Sequence, residues 1–365
     1  MLLMTEDDIR VLVVDDSAVA TLVLVRILQT DPRIKVVGTV TDGRTAVEFV
    51  RMHRPDLVLM DFHMPRMDGS EATKSIMQTH PVPVVICSGV SDPREMLTTF
   101  RVLESGAVAC VAKPVGTGTV DDGRKIANLL QTVKLMSEVK VVRHWPARAS
   151  GLAPVLPLPV NSILAEAGKH RFKAIGIGAS TGGPAVIKEI VSALPGSYPI
   201  PVLVVQHITP GFAAGLAEWL GKESRLRVQL AVDGQSAQPG TVYVAPDSKH
   251  LALTGGGLLS VNEAPPENGL RPSVSHLFRS LADVCGSDTI GVLLTGMGKD
   301  GAAELRRMRD MGAVTLVQDK ETCVVNGMPG EATSLGAAMY VLPPEGIAAA
   351  LVVLANQTGK REVTT

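Results

Sequence analysis

Ser180 is the serine best placed to act as a nucleophile, because it lies in the sequence GIGASTGG at residues 176–183. An apolar run typical of a buried strand precedes it, and a run with helical periodicity begins at Pro184. The glycines permit a tight strand-to-helix turn and let a substrate approach the backbone closely. The same sequence fits a phosphate-binding turn at a helix N-terminus, or a turn that only closes a strand–helix unit. Taken alone, the motif leaves these three interpretations open.

A serine hydroxyl needs a general base, and the base needs an orienting carboxylate. His207 follows the apolar run VLVVQ, and Asp300 follows the run IGVLLTG and a glycine-rich loop. These strand ends predict a catalytic triad in which Ser180 attacks, His207 accepts its proton and Asp300 orients the imidazole. Met297 lies in the same loop as Asp300, and its backbone N–H is a candidate oxyanion donor.

Other residues compete for the same roles. His250 and His276 lie near a predicted hairpin and on a predicted helix, where a structural histidine is expected, and Asp319 also ends a strand. A dinucleotide-binding interpretation of GIGASTGG requires an acidic residue at the end of the next strand, where this chain has Gln206 followed by a histidine. That interpretation is therefore disfavoured.

A second set of polar residues belongs to the first part of the chain. Paired acidic residues, Asp15 and Asp16, end the first apolar run, and Asp61 ends the third. Ser88 ends the fourth run and Lys113 follows the fifth. Because carboxyl ends of parallel strands meet at one edge of a sheet, these side chains are expected to converge. Carboxylates there can hold Mg²⁺, Asp61 can attack phosphorus, the lysine can neutralise charge and the hydroxyl can sense the new group.

The elements that position these residues form two α/β units. From 9 to 142, five apolar runs alternate with helical segments, which predicts a flavodoxin-like unit with a five-stranded parallel sheet. Repeated prolines in 143–171 favour an extended linker. A second alternation over 172–356 predicts a larger doubly wound α/β unit, with a β-hairpin from Val242 to Val261.

Composition limits the classes of function. The 365 residues exceed the roughly 250 to 300 at which single cores stop growing, so two domains are expected. Lys and Arg number 35 against 36 Asp and Glu, which leaves no basic footprint for nucleic acid. The chain shows no secretory leader and no apolar run long enough for a membrane span, so a soluble protein without membrane insertion is expected. The cysteines lack C-x-x-C spacing and fit a reducing cytoplasm.

The first unit resembles a response-regulator receiver domain. The resemblance rests on the paired aspartates, the motif DFHMPRMDG, the hydroxyl after strand four and the Lys-Pro pair after strand five. It implies that a histidine kinase of the CheA type transfers a phosphoryl group to Asp61. It also implies Mg²⁺ on Asp16, Asp61 and the backbone carbonyl of His63, and a cis peptide bond at Lys113–Pro114.

Nearly the whole chain resembles the chemotaxis protein-glutamate methylesterase family, known as CheB. The motifs that carry the resemblance are, in order, GIGASTGG, QHITPGF, YVAPDSKH, RPSV, GVLLTGMGKDGA and TCVVNGMPGEA. The family triad falls on Ser180, His207 and Asp300. The resemblance implies hydrolysis of glutamate γ-methyl esters on the cytoplasmic helices of methyl-accepting chemotaxis receptors, often with deamidation of receptor glutamines, and no cofactor for either reaction.

Some positions depart from the family pattern, and they flank the predicted substrate groove. They are Thr209, Leu270, Ser275, Asn326 and Gly330. The departures bear on receptor recognition more than on the chemistry. A receiver on a proline-rich tether also suggests that phosphorylation opens the esterase site. The alternative is an adaptor whose second unit is catalytically inactive.

Overall fold

The structure, a computed structural model, describes residues 8–89, 105–116, 119–139, 141 and 160–358. Backbone contacts divide the chain into two compact units, Met1–Gly151 and Leu152–Thr365. Residues 143–159 of the linker predicted over 143–171, and residues 90–104 between the fourth and fifth strands, lie outside the described residues. The domain boundaries at 142 and 171 therefore stay predictions.

The first unit contains a five-stranded parallel sheet, as the sequence predicts. Its strands are β1 (Ile9–Val14), β2 (Ile34–Val40), β3 (Leu57–Met60), β4 (Val84–Ser88) and β5 (Ala109–Ala112). The strand order is β2-β1-β3-β4-β5, the flavodoxin-like order. Chain direction across the sheet reverses between β1 and β3, so the ligand crevice is expected at their carboxyl ends.

In the described part of the first unit, helices begin where short polar side chains cap them. They are α1 (Ala18–Leu28), α2 (Gly43–His53), α3 (Gly69–Thr79) and α4 (Val120–Ser137). Ser17, Asp42, Asp68 and Thr119 stand at the four N-caps, and each side chain accepts a hydrogen bond from a backbone N–H of the first turn. Each such cap contributes about 1 kcal/mol. The caps thus fix helix starts close to the sheet edge where the acidic residues lie.

The second unit is built on a seven-stranded sheet in the order β14-β13-β12-β6-β7-β9-β8, in which every pairing is parallel. The strands of this sheet are β6 (Ala174–Ala179), β7 (Val202–Gln206), β8 (Arg227–Leu230), β9 (Thr241–Val244), β12 (Thr289–Leu293), β13 (Val314–Gln318) and β14 (Tyr340–Leu342). Strands β10 (His250–Thr254) and β11 (Leu258–Asn262) form a separate antiparallel hairpin.

Helices follow most strands of the second unit and cover both faces of the sheet, because a parallel sheet must bury both. They are α5 (Val160–Ala167), α6 (Gly183–Ala193), α7 (Ala213–Glu223), α8 (Val274–Cys285), α9 (Ala302–Asp310), α10 (Met328–Ser334) and α11 (Pro344–Thr358). Phe278 and Leu281 of α8 pack on the core with Leu203 and Tyr243 of the sheet, all essentially buried. No helix in the described part of the chain has the length and apolar composition of a bilayer span.

Three details differ from the sequence-based expectations. The predicted hairpin from Val242 to Val261 is wrong in its first half, because β9 pairs in parallel with β7 and only β10 and β11 form the hairpin. The edge strand β8 was not predicted, because its exposed and half-buried residues lack a continuous apolar run. Helix α5 lies within the segment expected to be extended, and it packs on α11 through an apolar face free of proline.

The expected cis bond at Lys113–Pro114 is also wrong. Among the described residues the cis peptide bond is Arg271–Pro272. The two isomers of an X–Pro bond differ by only about 1 kcal/mol, so local contacts choose between them and a sequence motif does not.

Candidate functional site

Each unit gathers its polar residues where the strand order of its sheet reverses. In the second unit the chain proceeds from β6 to one side through β7 and β9, then returns to the other side through β12 and β13. Ser180, His207 and Asp300 follow β6, β7 and β12, the three central strands. Because ligands of open α/β sheets bind outside the carboxyl ends at such a point, these residues share the expected crevice.

Ser180 lies on a tight turn between β6 and α6. Its backbone N–H donates to the carbonyl oxygen of Thr295 at 3.0 Å, which ties the turn to the loop after β12. Gly182 caps α6 with φ of 77°, a left-handed conformation that side chains strain. The turn therefore has the strand-to-helix form that presents a serine hydroxyl at the sheet edge.

His207 is held against the same edge and contacts Asp300. Its backbone N–H donates to the carbonyl oxygen of Ala179 at 2.9 Å, and its Nε2 lies 2.9 Å from Asp300 Oδ2. An ionised carboxylate only accepts hydrogen bonds, so Nε2 carries the proton and Nδ1 is left as the basic nitrogen. Across residues 160–358, no hydrogen bond joins Ser180 Oγ to this ring. In hydrolases without substrate, this contact often forms only when substrate binds.

Asp300 is a buried anion held by donors from helix α8. Ser273 Oγ donates to Oδ1 at 2.9 Å, Val274 N donates to Oδ2 at 2.6 Å, and Ser275 N donates to Oδ1 at 3.1 Å. Burial alone would raise the pKa of Asp300, but the hydrogen bond and charge of His207 and the bonds from α8 outweigh it and lower the pKa to about 2. Asp300 thus stays ionised and can stabilise a protonated imidazole.

The rival histidines are committed to other contacts. His250 is 0% exposed, its Nδ1 accepts from Ser273 N at 3.3 Å and its Nε2 lies 3.2 Å from the carbonyl oxygen of Pro265. His276 stacks on His250 with ring centroids 4.3 Å apart, and its Nδ1 lies 2.8 Å from Glu267 Oε1. Among the described residues, neither ring is hydrogen-bonded to Asp300. The geometry therefore supports His207 as the base.

The rival carboxylate, Asp319, faces its own loop. Its Oδ1 accepts from Thr322 N at 3.1 Å and from the hydroxyl of the same residue. This contact shapes the loop after β13, whereas Asp300 is the carboxylate in contact with His207.

The loop after β12 presents the backbone N–H of Met297. The preceding carbonyl oxygen, that of Gly296, accepts from Gly327 N at 3.1 Å and from Met328 N at 2.9 Å. Because the carbonyl and the N–H of a trans peptide point in opposite directions, Met297 N–H is aimed away from these donors. Within the described ranges it has no hydrogen-bond acceptor of its own. This arrangement supports its predicted role as an oxyanion donor.

In the first unit, the predicted residues converge around one lysine. Lys113 Nζ lies 2.8 Å from Asp15 Oδ2 and 2.9 Å from Asp61 Oδ1. Burial raises the pKa of Asp61, and the lysine offsets this only in part. Burial would lower the pKa of Lys113, but its hydrogen bonds and charge contacts with the two carboxylates raise it. Ser88 is buried at the end of β4, and its carbonyl oxygen accepts from Lys113 N at 2.8 Å.

The acidic residues of the first unit suit a divalent cation. One carboxylate oxygen from each of Asp15, Asp16 and Asp61 lies within 4.8 Å of the others. Hard oxygen donors from carboxylates are the protein ligands that Mg²⁺ prefers, so the donor set fits the metal that the receiver resemblance implies. The carbonyl of His63 stays a predicted ligand.

Two features of the site are not predicted by the sequence. The hydroxyl of Ser273 holds Asp300, and the only local signal for this residue is an N-cap signal, a serine directly before the helical run VSHLF. Ser275 was noted only as a departure from the family pattern. Its hydroxyl donates to Glu304 Oε2 at 2.6 Å and accepts from Gly301 N at 3.0 Å, beside the aspartate. Two further departures from the family pattern, Asn326 and Gly330, are neighbours: a Cβ added to Gly330 would lie 3.1 Å from Asn326 Nδ2.

Two family models match the chain. The model described as CheB methylesterase matches residues 175–351, and the response regulator receiver domain matches residues 11–141.

Curated relatives match the chain over nearly their whole length. The chain is 50% identical over 350 residues to protein-glutamate methylesterase/protein-glutamine glutaminase 4 of Geobacter metallireducens, covering 96% of this chain and 99% of that protein. It is 46% identical over 355 residues to the protein-glutamate methylesterase/protein-glutamine glutaminase of Nitrosospira multiformis, covering 97% and 99%. The crystal structure of the Thermotoga maritima CheB methylesterase catalytic domain is 41% identical, with a TM-score of 0.49, over 50% of this chain and 98% of that one.

Proposed function

The chain belongs to the CheB methylesterase family, and on that premise we propose that it is a phosphorylation-regulated serine hydrolase that demethylates glutamate γ-methyl esters and deamidates glutamines on chemotaxis receptors. The observation that carries the proposal is the contact between His207 Nε2 and the buried Asp300 carboxylate, at the strand ends beside Ser180. A charged orienter, a histidine with one free nitrogen and a serine on a sharp turn are the parts that acyl transfer requires.

The first half-reaction follows from the protonation states. His207 Nδ1 takes the proton of Ser180 Oγ as the oxygen attacks the ester carbonyl carbon. The Asp300 carboxylate stabilises the imidazolium that forms, and Met297 N–H donates to the oxyanion. The imidazolium then gives its proton to the leaving methoxide, and methanol departs.

The second half-reaction regenerates the enzyme. Nδ1 of His207 deprotonates a water that attacks the acyl-serine, and the serine oxygen leaves as it takes the proton back. The product is a receptor glutamate. Attack on a glutamine side chain follows the same steps with ammonia as the leaving group, so one site serves both reactions and needs no cofactor.

For the first unit we propose phosphorylation of Asp61 by a histidine kinase of the CheA type. Its carboxylate attacks phosphorus, and the Lys113 ammonium, already 2.9 Å from that carboxylate, neutralises added charge. Asp16, Asp61 and the carbonyl of His63 would hold Mg²⁺, with Asp15 in the same acidic cluster, and the bound metal would supply further charge neutralisation to the phosphoryl oxygens. Ser88 lies at the end of the neighbouring strand, where a hydroxyl can sense the new group.

Phosphorylation is proposed to raise esterase activity by shifting the population of the chain towards a state in which the esterase site is accessible. The substrate helices belong to membrane receptors, so the reaction is placed in the cytoplasm, at the receptor's signalling end. No nucleic acid takes part.

The test is methanol release from methylated receptor cytoplasmic helices, with and without a small phosphoryl donor such as acetyl phosphate and Mg²⁺. We expect turnover by the full chain, more turnover with the donor, and none with Ser180→Ala. Asp61→Asn is the matched control, because it keeps the shape of the acceptor. It should abolish the increase in turnover caused by the donor and leave the turnover without donor unchanged.

Labelling with a serine-directed phosphonate separates the enzyme from an inactive adaptor. A functional triad reacts at Ser180, so adduct formation mapped to that residue supports the proposal. Absence of both the adduct and methanol would contradict it and favour the adaptor.

A further inference from the structure

Gln206 is a buried amide that joins the two reactive residues of the second unit, and the mechanism above does not use it. It ends β7, and it is 4% exposed. Its Nε2 donates to the carbonyl oxygen of Ser180 at 2.7 Å and to that of His207 at 2.8 Å. Both amide hydrogens therefore form hydrogen bonds with the backbones of the nucleophile and the base. The opposite amide orientation would form neither bond.

The other end of the same amide is left without a donor. Gln206 Oε1 is buried and has no hydrogen-bond partner in the part of the chain that the structure describes. A buried acceptor without a donor is unfavourable, so the position is not optimised for stability. The side chain occupies the space beside Gly183, where an added Cβ would lie 2.1 Å from Oε1. A glycine is thus required at position 183 because the Gln206 side chain occupies the space of a Cβ. This contact links the GIGASTGG motif to the QH motif.

Holding the Ser180 carbonyl has a consequence for the next backbone N–H. The Ser180 oxygen accepts from Gln206 Nε2 and from Gly183 N, the latter at 2.9 Å. Since the bond is a trans peptide, Thr181 N–H points the opposite way. In the described ranges Thr181 N–H has no acceptor, which is also true of Met297 N–H. Two peptides of the site are therefore anchored at their oxygen atoms and present unpaired N–H groups.

We propose that Gln206 is a positioning residue for the acyl-transfer reaction: its carboxamide fixes the Ser180–Thr181 peptide so that Thr181 N–H is the second oxyanion donor beside Met297 N–H. The proposal rests on the proposed esterase function. A backbone N–H after the nucleophile is the position from which such a donor acts on a strand-to-helix turn. The same amide also donates to the backbone carbonyl of His207, so it fixes the position of the base relative to Thr181 N–H.

The first test uses the full chain with Gln206→Met, which keeps the length and volume of the side chain and removes both donors. The probe is a helical peptide that carries one glutamate γ-methyl ester, assayed by methanol release, together with the rate of serine-directed phosphonate labelling. We expect kcat and the labelling rate each to fall roughly 10- to 100-fold, with KM within about threefold, because an oxyanion donor acts on the transition state.

The matched control is Gln229→Met, which makes the same substitution on β8 of the same sheet and leaves the site untouched. Its kcat should equal that of the wild type. A folded Gln206→Met variant with wild-type kcat and labelling rate would overturn the positioning role while leaving the esterase proposal intact. Failure of the wild type itself to release methanol or take the label would instead overturn the proposed function.

A second variant, Gln206→Glu, tests the positioning role of Gln206 if Gln206→Met does not fold. The carboxyl group keeps the shape, but only its protonated form can donate a hydrogen bond, to one carbonyl oxygen. Burial favours that form, so we expect the ratio of kcat for this variant to wild-type kcat to fall at least about tenfold as the pH rises from about 5 to 9. A ratio that does not change with pH would overturn the assignment of Gln206 as a donor.

Discussion

The two units build their sites by the same topological rule but treat a carboxylate at the sheet edge in opposite ways. Asp61 of the first unit accepts a backbone hydrogen bond from Phe62 N at 2.9 Å and shares the ammonium of Lys113 with Asp15. Burial raises its pKa. Asp300 of the second unit is held by a histidine and by donors at the start of α8, and its pKa is lowered to about 2.

The difference shows how donors decide what a carboxylate can do. A carboxylate saturated by hydrogen bonds is stable as an anion and poorly nucleophilic, which suits a residue that orients an imidazole. A carboxylate among other carboxylates, with one cation to share, remains able to attack or to bind a metal. The same side chain is therefore a fixed charge in one unit and a reactive group in the other.

The largest expected effects test whether the two chemistries are separate. Ser180→Ala should lower methanol release at least about 10⁴-fold, because members of a triad act as a unit, and should leave Mg²⁺-dependent phosphorylation of Asp61 unchanged. Asp61→Asn should abolish the hydroxylamine-sensitive acyl phosphate and leave donor-independent esterase turnover unchanged. Phosphate incorporation and methanol release measured on both variants check this. Loss of phosphorylation in Ser180→Ala would contradict the separation.

The next effect concerns the fixed charge. Asp300→Asn should lower kcat about 10³- to 10⁴-fold, because a neutral amide cannot stabilise the imidazolium and its NH₂ group would face donors. Steady-state kinetics on the methyl-ester peptide measure it. Asp310→Asn is the control, since Asp310 is an exposed carboxylate that accepts from Arg306 Nε at 2.8 Å. Equal losses of kcat in the two variants would contradict the role of the Asp300 charge in stabilising the imidazolium.

A smaller effect appears in stability against acid. The pKa of Asp300 falls from 3.8 to about 2 on folding. A lowered pKa stabilises the folded state fully above the unfolded pKa, and this contribution is lost as the pH falls through the folded value. We expect about 2 kcal/mol to disappear between pH 5 and 2. The measurement is the difference in unfolding free energy between wild type and Asp300→Asn, which should shrink over this range. A constant difference would contradict the assignment.

The smallest effect tests how much the surroundings of the fixed charge matter. Ser275→Ala keeps the backbone N–H that binds Asp300 but removes the hydroxyl that joins Gly301 N to Glu304. The loop that carries Asp300 should loosen, and kcat should fall roughly 3- to 10-fold. Ser334→Ala, on an exposed hydroxyl of α10, is the control and should behave as wild type. A loss larger than that of Asp300→Asn would reverse the expected ranking.

The sequence predicts the strand ends well because each polar residue follows a short apolar run. Asp61, Ser180 and His207 all follow strands that the structure contains. The sequence does not predict which strands pair when they are far apart in the chain. The sequence of β9 fits one half of a hairpin equally well, and only its pairing with β7 places it in the large sheet. Periodicity describes a strand, but register and neighbour depend on the whole unit.

The donors around Asp300 show a second limit. The N-cap signal at Ser273 predicts a helix start, but nothing local tells that the start faces a carboxylate 27 residues further along the chain. The contact arises because α8 packs on β6 and β12, and Asp300 lies in the loop that follows β12. Gln206 is similar, since its amide reaches back 26 residues to Ser180. Such hydrogen bonds are tertiary features, and a single sequence does not encode them in any local pattern.

The central position of β6 in the seven-stranded sheet also bears on how the unit opens. Strands β12, β6 and β7, whose ends carry the reactive groups, are flanked on both sides, whereas β8 and β14 form the edges. Edge strands fray through local fluctuations, while central strands exchange their amide hydrogens only through larger openings. We expect slow hydrogen–deuterium exchange at β6 and β7 and faster exchange at β8 and β14. Mild denaturant that frees the edges should then leave turnover intact, so turnover should end only where the whole unit unfolds.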